Sequence, residues 1–264
     1  MKIGICQMNI DYEAKEKNLI RAEKYIEKAS GEEAEMILFP EMSFTGFSMN
    51  TKFIGEESGE TLYRLRSFAT KNKIAIGFGW VKGKKQAENH YTVIDENGNI
   101  LEDYIKIHPF SYSGEDRFFI KGDRPGYFVY KDIPFGISIC YDLRFPELYQ
   151  YLSRKAHVIL VPANWPSQRS LHWKVLLQCR AIENQVYMVG INCCGNQEKL
   201  YYSGNSCVIS PQGDVLFEIH DREKLQIFEL TDHVDTYRFK FPVKADRRIN
   251  LYKNFYEEKN DCLF

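Results

Sequence analysis

The sequence has almost no net charge and no long apolar run. Its 35 lysines and arginines are balanced by 36 aspartates and glutamates, which leaves a formal net charge of −1. A nucleic-acid-binding protein normally carries a basic surplus or a basic stripe, so this balance argues against that class. No stretch approaches the roughly 18 to 20 apolar residues that a membrane span requires. We therefore expect neither a nucleic acid nor a membrane as a partner.

Paired cysteines are lacking as well. The chain has seven cysteines, an odd number, and none of them stand at CxxC or zinc-like spacing. The opening residues, MKIGIC, have neither the apolar run nor the small-residue cleavage site of a secretory signal. We expect a cytoplasmic protein with reduced thiols, no metal and no organic cofactor. The adjacent Cys193 and Cys194 are predicted to be packing residues at the end of a strand.

The hydrophobic pattern alternates between strand and helix periods. Residues 2–8 alternate as a strand does, residues 19–29 repeat apolar side chains at helical spacing, and residues 36–39 form a short apolar strand. Further helices are predicted over 61–71, 146–155 and 171–184, the last with Ser170 as its N-cap. Further strands are predicted over 74–80, 90–95, 100–107, 127–130, 135–139, 158–161, 187–191, 206–210, 215–219 and 225–230.

No low-complexity linker or change of composition divides the chain. Its 264 residues are long for one domain, yet enough to bury roughly three quarters of the surface that the unfolded chain exposes. We predict one α/β domain over residues 1–264, with layered sheets and helices.

Three reactive side chains stand at the C-terminal ends of predicted strands. They are Glu41, Lys106 and Cys140. Ligand crevices of open α/β sheets form outside the carboxyl ends of strands, so their joint placement predicts a site. Taken singly, each has an ordinary explanation: a solvated loop acid, a surface lysine and a small buried thiol.

The segments around these residues carry a family resemblance. FPEMSFTGF at 39–47, YIKIH at 104–108 and ICYDLRFPE at 139–147 closely resemble, in order, the three signature segments of the nitrilase superfamily. The resemblance extends from Lys2 to about Phe255. It implies an αββα sandwich, in which two stacked mixed sheets are flanked by helices. It also implies a homodimer of αββααββα layers, with larger homo-oligomers open.

The resemblance assigns a role to each reactive side chain. It implies Glu41 as the general base, Lys106 as the electrophile and Cys140 as the nucleophile. A further family glutamate lies between the lysine and the cysteine. Glu115 is its best match, with neighbouring Asp116 as the alternative.

The chemistry can be argued independently of the resemblance. A free cysteine has a pKa near ~8.5, so an amide-cleaving thiol needs a base to remove its proton. Glu41 can take that proton, while Lys106 and the main-chain N–H of Tyr141 stabilise the tetrahedral oxyanion. The alternative of a papain-like site needs a histidine base. His90, His108 and His157 are present, but none lies in a cysteine-protease motif.

The substrate class is less fixed. VPANWP at 161–166, RSLHW at 169–173 and RAIENQ at 180–185 resemble the ω-amidase branch, which hydrolyses the terminal amide of 2-oxo dicarboxylic acid monoamides. A small-molecule amide is therefore the expected partner. A related amidase acting on N-carbamoyl or other small linear amides, a nitrilase and a non-catalytic scaffold remain alternatives.

Such a substrate carries a carboxylate remote from its amide, so we expect an arginine in the pocket. Arg169 is the first candidate because it stands before a helix N-terminus. Arg144 is the rival, although pairing with Glu147 or Asp142 would explain it equally well. The other predicted substrate-contacting residues are Phe47, Tyr112, Tyr141 and Trp165.

Overall fold

The computed structural model describes residues 1–257. Within them, the strands are β1 Lys2–Gln7, β2 Met36–Leu38, β3 Ala75–Lys82, β4 Glu88–Ile94, β5 Ile100–Ile105, β6 Gly126–Tyr130, β7 Ile133–Ile137, β8 Val158–Ala163, β9 Tyr187–Asn192, β10 Cys194–Gln197, β11 Leu200–Ile209, β12 Val215–His220 and β13 Lys224–Glu229. The α-helices are α1 Lys15–Gly31, α2 Thr51–Ile54, α3 Glu60–Asn72, α4 Pro146–Leu152, α5 Ser170–Asn184, α6 Val234–Lys240 and α7 Ile249–Glu257. None of these helices is long and apolar enough to span a membrane.

The strands form two mixed sheets. The first has the order β13-β1-β2-β3-β4-β5, and the second has the order β10-β11-β9-β8-β7-β6, with β12 added beside β11. The sheets repeat one plan, since β1-β2-β3 and β7-β8-β9 are both parallel and both are flanked by antiparallel strands. β4 and β5 form an antiparallel pair joined by a turn at Asn97-Gly98. Gly98 has a φ of +81°, the positive value that such an Asn-Gly turn requires.

Three apolar layers hold the sheets and helices together. Between the sheets, Ile3 and Ile5 of β1 pack in one cluster with Ile137 of β7 and Leu160 of β8. Alternate residues of the same strands face outward, because successive side chains of a strand point to opposite faces. Outward residues of the first sheet pack against α1 and α3, and those of the second pack against α4 and α5. This is the predicted αββα sandwich.

Several elements differ from the sequence prediction. Ser170 is the first residue of α5 and not its N-cap, because a 3₁₀ turn over Ser167–Arg169 runs directly into the helix. The predicted strand 206–210 begins earlier, at Leu200, where it forms a hairpin with β10. The helices α2, α6 and α7 were not predicted.

Candidate active site

The predicted reactive residues meet at one end of the two stacked sheets. Glu41 lies three residues after β2, Lys106 follows β5 directly, and Cys140 lies three residues after β7. Asn164 follows β8 at the same place. Glu41 and Lys106 are 0% and 1% exposed, so the fold withdraws both charged groups from solvent.

Cys140 lies at a sharp turn. It opens the 3₁₀ turn Cys140–Arg144 with a φ of +46°, a conformation that costs a non-glycine residue free energy and is found where function requires it. Its Sγ lies 3.9 Å from the carbonyl oxygen of Asn164. The turn therefore holds the thiol at the junction of both sheets.

Asp142 fastens this turn to the strand that carries the lysine. Its fully buried carboxylate accepts hydrogen bonds from the N–H of Ile139 at 2.9 Å and from the hydroxyl of Tyr104 at 2.8 Å. It also accepts from the main-chain N–H of His108 at 3.0 Å and contacts the His108 Nδ1 at 2.7 Å. Asp142 therefore links the Cys140 turn to both sides of Lys106. It does not pair with an arginine.

Glu41, Lys106 and Glu115 form the charged floor of the site, and all three are paired with one another through Lys106. Lys106 Nζ lies 2.8 Å from Glu41 Oε1 and 2.9 and 3.1 Å from the two oxygens of Glu115. Of the two adjacent acids, it is Glu115 that is buried against Lys106, whereas Asp116 is exposed. The Glu115 carboxylate is also held by the N–H of Phe110 at 2.5 Å.

Two asparagines complete the floor, and sequence reasoning did not select either. Asn89 Nδ2 donates to both Glu41, at 2.9 Å, and Glu115, at 3.1 Å. Asn164 donates its main-chain N–H to Glu41 Oε2 at 3.0 Å and its Nδ2 to the Glu41 carbonyl at 2.6 Å. Asn89 lies on the same face of β4 as Tyr91, which points into the core. The one feature of the sequence that could have identified Asn89 is that it is polar on an otherwise apolar strand face.

The pKa values follow from burial and from this pairing. Burial alone would lower the pKa of Lys106, but the charges of Glu115 and Glu41 more than offset it and hold that pKa above its usual value. Burial raises the pKa of Glu115, against the effect of Lys106. Burial and then the Glu41 charge raise the pKa of the Cys140 thiol well above its usual value, with Lys106 opposing. The resting site therefore holds an ammonium beside a thiol, not a thiolate.

A mostly apolar cavity opens above the floor. It has a volume of about 480 Å³ including its mouth. Its lining residues are Phe47, Lys106, Phe110, Ser113, Cys140, Tyr141, Arg144, Asn164, Trp165, Pro166, Arg169, Leu200 and Tyr202. Of the predicted contact residues, Tyr112 does not line it, because its side chain lies on the outer side of a 3₁₀ turn and is 86% exposed.

Sequence reasoning also missed Phe110 and the two cavity residues of β11, Leu200 and Tyr202. Phe110 is two residues from the predicted Tyr112, but its ring packs against Tyr141 with centroids 4.8 Å apart. Leu200 and Tyr202 were not selected because the predicted strand began only at Ser206, so neither residue was placed on a strand.

Both candidate arginines line the cavity without an acidic partner among residues 1–257. The Arg144 guanidinium lies 4.8 Å from the Trp165 ring and 3.3 Å from the Nδ1 of His172. That of Arg169 lies 5.4 Å from the Phe110 ring. The pKa of Arg144 is lowered by burial and then by the charge of Arg169. The expected pairing of Arg144 with Glu147 or Asp142 is absent.

The three histidines of the papain-like alternative are engaged elsewhere. His90 lies between Glu88 and Asp103, and His157 contacts Asp232. His108 is bound to Asp142 and stacked on Phe145. Within residues 1–257, no histidine hydrogen-bonds to Cys140.

Comparison with known proteins identifies the family. The model of the carbon-nitrogen hydrolase family matches residues 2–239. The chain belongs to that family. The hydrolase is 33% identical over 256 residues to a 2-oxoglutaramate amidase of Bacillus subtilis, covering 95% of this chain and 98% of the relative. It is 29% identical to an omega-amidase of Yersinia enterocolitica, covering 93% and 96% of the two chains.

Solved structures share its fold. An amidase mutant from Nesterenkonia sp. AN1, with the acetamide moiety of fluoroacetamide covalently added at its active-site cysteine, superposes with a TM-score of 0.87. It is 25% identical to the hydrolase and covers 96% of each chain. A CN-hydrolase superfamily protein from Xanthomonas campestris, with an arsenic adduct in its active site, has a TM-score of 0.88, 26% identity and coverage of 94% and 97%. The hydrolase is thus a cysteine-dependent, amide-cleaving enzyme.

Proposed function

We propose that the hydrolase cleaves the terminal amide of a small 2-oxo dicarboxylic acid monoamide, such as α-ketoglutaramate, and releases ammonia. The observation that carries this proposal is the pair of arginines in the cavity. Arg144 and Arg169 lie beside the thiol, and neither has an acidic partner among residues 1–257. The similarity to a 2-oxoglutaramate amidase and to an omega-amidase supports the same substrate class.

Two unpaired guanidinium groups in a largely apolar cavity favour an anionic ligand. A guanidinium–carboxylate pair is charge-assisted and geometrically specific, and burial strengthens it. The Arg169 charge lowers the pKa of Arg144, so a carboxylate bound between them would relieve that repulsion. Arg169 also stands directly before α5, whose N-terminal N–H groups add to the positive potential. A neutral amide would leave both arginines unpaired.

We assign Cys140 as the nucleophile and Glu41 as its base. Since burial raises the pKa of the thiol, proton removal must accompany attack. Glu41 takes the thiol proton as the sulfur bonds to the amide carbon. The tetrahedral intermediate then collapses, the carbon–nitrogen bond breaks, and Glu41 returns its proton to the departing ammonia. The product of this half-reaction is a thioester on Cys140.

Hydrolysis of the thioester uses the same base in reverse. Glu41 removes a proton from water, the hydroxide attacks the thioester carbon, and the carbon–sulfur bond breaks. Glu41 then returns the proton to the sulfur of Cys140. The net reaction consumes one water and yields a carboxylic acid and ammonia.

Lys106 is assigned to the oxyanion. An ammonium has three N–H donors, of which one can serve Glu41 Oε1 and one can be shared by the two oxygens of the Glu115 carboxylate. Because Lys106 also lines the cavity, a donor remains for the oxygen of the tetrahedral intermediate, which the N–H of Tyr141 would share. Glu115 is assigned to positioning, since its hydrogen bonds are with Lys106, with Asn89 and with the main-chain N–H of Phe110.

The test of the proposed function is ammonia release from a substrate panel. The panel contains α-ketoglutaramate, α-ketosuccinamate, glutamine, asparagine, an N-carbamoyl compound, a neutral short-chain amide and a simple nitrile. We expect the highest kcat/KM on the 2-oxo monoamides. Turnover of a neutral amide or an N-carbamoyl compound without any turnover of α-ketoglutaramate would contradict the proposal and favour a related amidase.

We also propose that two copies of the chain form a dimer. An exposed apolar patch on α5 and β12 supports it, since patches of this kind mark interaction surfaces. Its members are Leu171, Val175, Ile182, Val215 and Leu216. The two elements are joined where Gln178 Nε2 donates to the Gly213 carbonyl at 2.8 Å. Sedimentation of the wild type and of Val175→Asp tests this, and a wild type that is monomeric at every concentration contradicts it.

A cytoplasmic location is proposed on the state of the thiols. Cys6, Cys140, Cys193, Cys194 and Cys207 are all free, as is the exposed Cys179. Free thiols suit a reducing compartment. Cell fractionation with an antibody to the chain tests the location, and recovery from an extracellular or periplasmic fraction contradicts it.

A further inference from the structure

Tyr202 lines the same cavity as the nucleophile, and its hydroxyl has no hydrogen-bond partner among residues 1–257. The residue is 2% exposed and lines the cavity together with Cys140 and Lys106. Among residues 1–257, its hydroxyl neither donates nor accepts a hydrogen bond, and it is not one of the polar atoms sealed inside the protein. Since the protein supplies no partner, the hydroxyl is free to bind water or a ligand in the cavity, and a ligand that displaces the water must replace its hydrogen bond.

The β10–β11 hairpin fixes the direction of this side chain. Tyr201 and Tyr202 are neighbours on β11, so their side chains point to opposite faces. Tyr201 lies at the surface, where its hydroxyl binds Asp221. The ring of Tyr202 packs in the same apolar cluster as Cys193 and Phe44. The apolar body of Tyr202 is thus held by the core and its polar end is left for the cavity.

We infer that the Tyr202 hydroxyl donates a hydrogen bond to the 2-oxo oxygen of the substrate and so selects 2-oxo monoamides over analogues without that oxygen. The inference rests on the proposed function, because it concerns the same cavity and the same substrate class. It adds a recognition group for the part of the substrate that lies between the amide and the carboxylate.

In the proposed function, the charged donors of the cavity are assigned to the two ends of the substrate. Lys106 and the N–H of Tyr141 serve the amide oxygen, and the two arginines serve the carboxylate. The oxygen between these ends is then open to a neutral donor such as the Tyr202 hydroxyl. Burial above all, then the neighbouring Cys193 and Cys140, raises the pKa of the Tyr202 hydroxyl, so it keeps its proton throughout the range in which the enzyme works.

The test compares two substrates that differ only in the oxygen at issue. Glutaramate has the chain, the amide and the carboxylate of α-ketoglutaramate but no 2-oxo group. Tyr202→Phe keeps the packed ring and removes only the hydroxyl, so the fold should be retained. We expect kcat/KM for α-ketoglutaramate to fall by about 10-fold, the scale of one hydrogen bond, while kcat/KM for glutaramate stays within about 2-fold.

Tyr201→Phe is the matched control, since it removes a hydroxyl from the neighbouring residue on the opposite face. We expect it to leave both substrates unchanged. Equal losses on both substrates in Tyr202→Phe, no loss on either, or the same 2-oxo-selective loss in the control would each overturn the inference while the proposed function stands. A wild type that does not hydrolyse α-ketoglutaramate would overturn both.

Discussion

The floor of the cavity and its walls differ in how their polar groups are matched. On the floor, the charged groups of Glu41, Lys106 and Glu115 are buried and bonded to one another. On the walls, Arg144 and Arg169 have no acidic partner within residues 1–257. The difference separates two tasks. The floor is completed by folding and can serve any amide, whereas the walls are completed only by a ligand and therefore choose which amide enters.

The floor is also the more demanding region to fold. Three ionisable groups leave water together, and this cost is offset only when every charge is paired and hydrogen-bonded. The arrangement still leaves Asn89 Oδ1 without a partner. The side-chain amide of Asn89 cannot flip to satisfy this oxygen, because the Glu41 and Glu115 carboxylates only accept hydrogen bonds and only the Nδ2 can donate to them. The fold retains an unsatisfied atom where it holds two carboxylates in place.

The largest effect should come from removing the sulfur. We expect Cys140→Ala to reduce turnover by roughly 10⁴-fold or more, because no covalent intermediate can form. Mass spectrometry of an enzyme trapped during turnover should find the acyl group on Cys140. The experiment is cleanest in a Cys179→Ala background, which removes an exposed thiol.

Two thiols near the site serve as controls. Cys193 and Cys194 are buried, and burial is the main reason that the pKa of each lies above its usual value. Replacing either with Ala should lower the melting temperature more than kcat. Near-normal activity in a folded Cys140→Ala protein would instead rule out the covalent mechanism.

The next largest effect should come from breaking the paired floor. We expect Lys106→Met and Glu41→Gln each to lower kcat/KM by about 10³-fold or more, the scale of losing an oxyanion donor or a general base. Lys106→Met also leaves two buried carboxylates uncompensated, so unfolding free energy should fall by about 3–5 kcal/mol. Chemical denaturation alongside steady-state kinetics separates the two effects.

The double variant tests whether the floor acts as one unit. If Glu41 and Lys106 act together, Glu41→Gln with Lys106→Met should lose far less than the product of the two single losses. Strictly multiplicative losses would mean that Glu41 and Lys106 contribute independently, which contradicts the interpretation that they act as one unit.

The strand ends were predictable from sequence because their signals are local. Apolar runs followed directly by Glu41, Lys106 and Cys140 identify the edge of a sheet, and the three motifs specify the fold. The contacts between those ends were not predictable in the same way. Asn89 reaches Glu41 from another strand of the same sheet and Asn164 reaches it from the other sheet, and neither contact leaves a periodic trace in the segment around Glu41.

The errors have equally specific causes. Tyr112 was predicted to contact the substrate as an aromatic lining residue, but a 3₁₀ turn has about three residues per turn, so neighbouring side chains point in different directions. Tyr202 was missed because β10 is polar and the run from Ser203 to Asn205 interrupts the apolar pattern of β11. The turn between the two strands, at Glu198, has a φ of +50° without the glycine that usually signals it. The wall residues were thus the harder ones to predict.

A smaller effect should distinguish the two adjacent acids. Glu115→Gln directs an amide NH₂ at the ammonium of Lys106 or at the N–H of Phe110, so one donor must move away. Since a displacement of about 1 Å can cost on the order of 10²-fold, we expect kcat to fall by about that much with KM little changed. Asp116→Asn is the matched control and should behave as wild type. A similar loss in both variants would point to the loop as a whole rather than to Glu115.

The smallest effect should be the most selective, because it concerns the walls alone. Removing the Arg169 guanidinium costs one charge-assisted pair with the substrate, so Arg169→Met should lower kcat/KM for α-ketoglutaramate by roughly 10- to 100-fold. A neutral short-chain amide should lose little, since the floor is untouched. Arg144 already contacts His172 and stacks on Trp165, so Arg144→Met should show a smaller selective loss. The exposed Arg66→Met is the control for a lost surface charge. Equal losses on the charged and the neutral substrate would mean that Arg169 supports the structure rather than the carboxylate, and the division between floor and walls would then not hold.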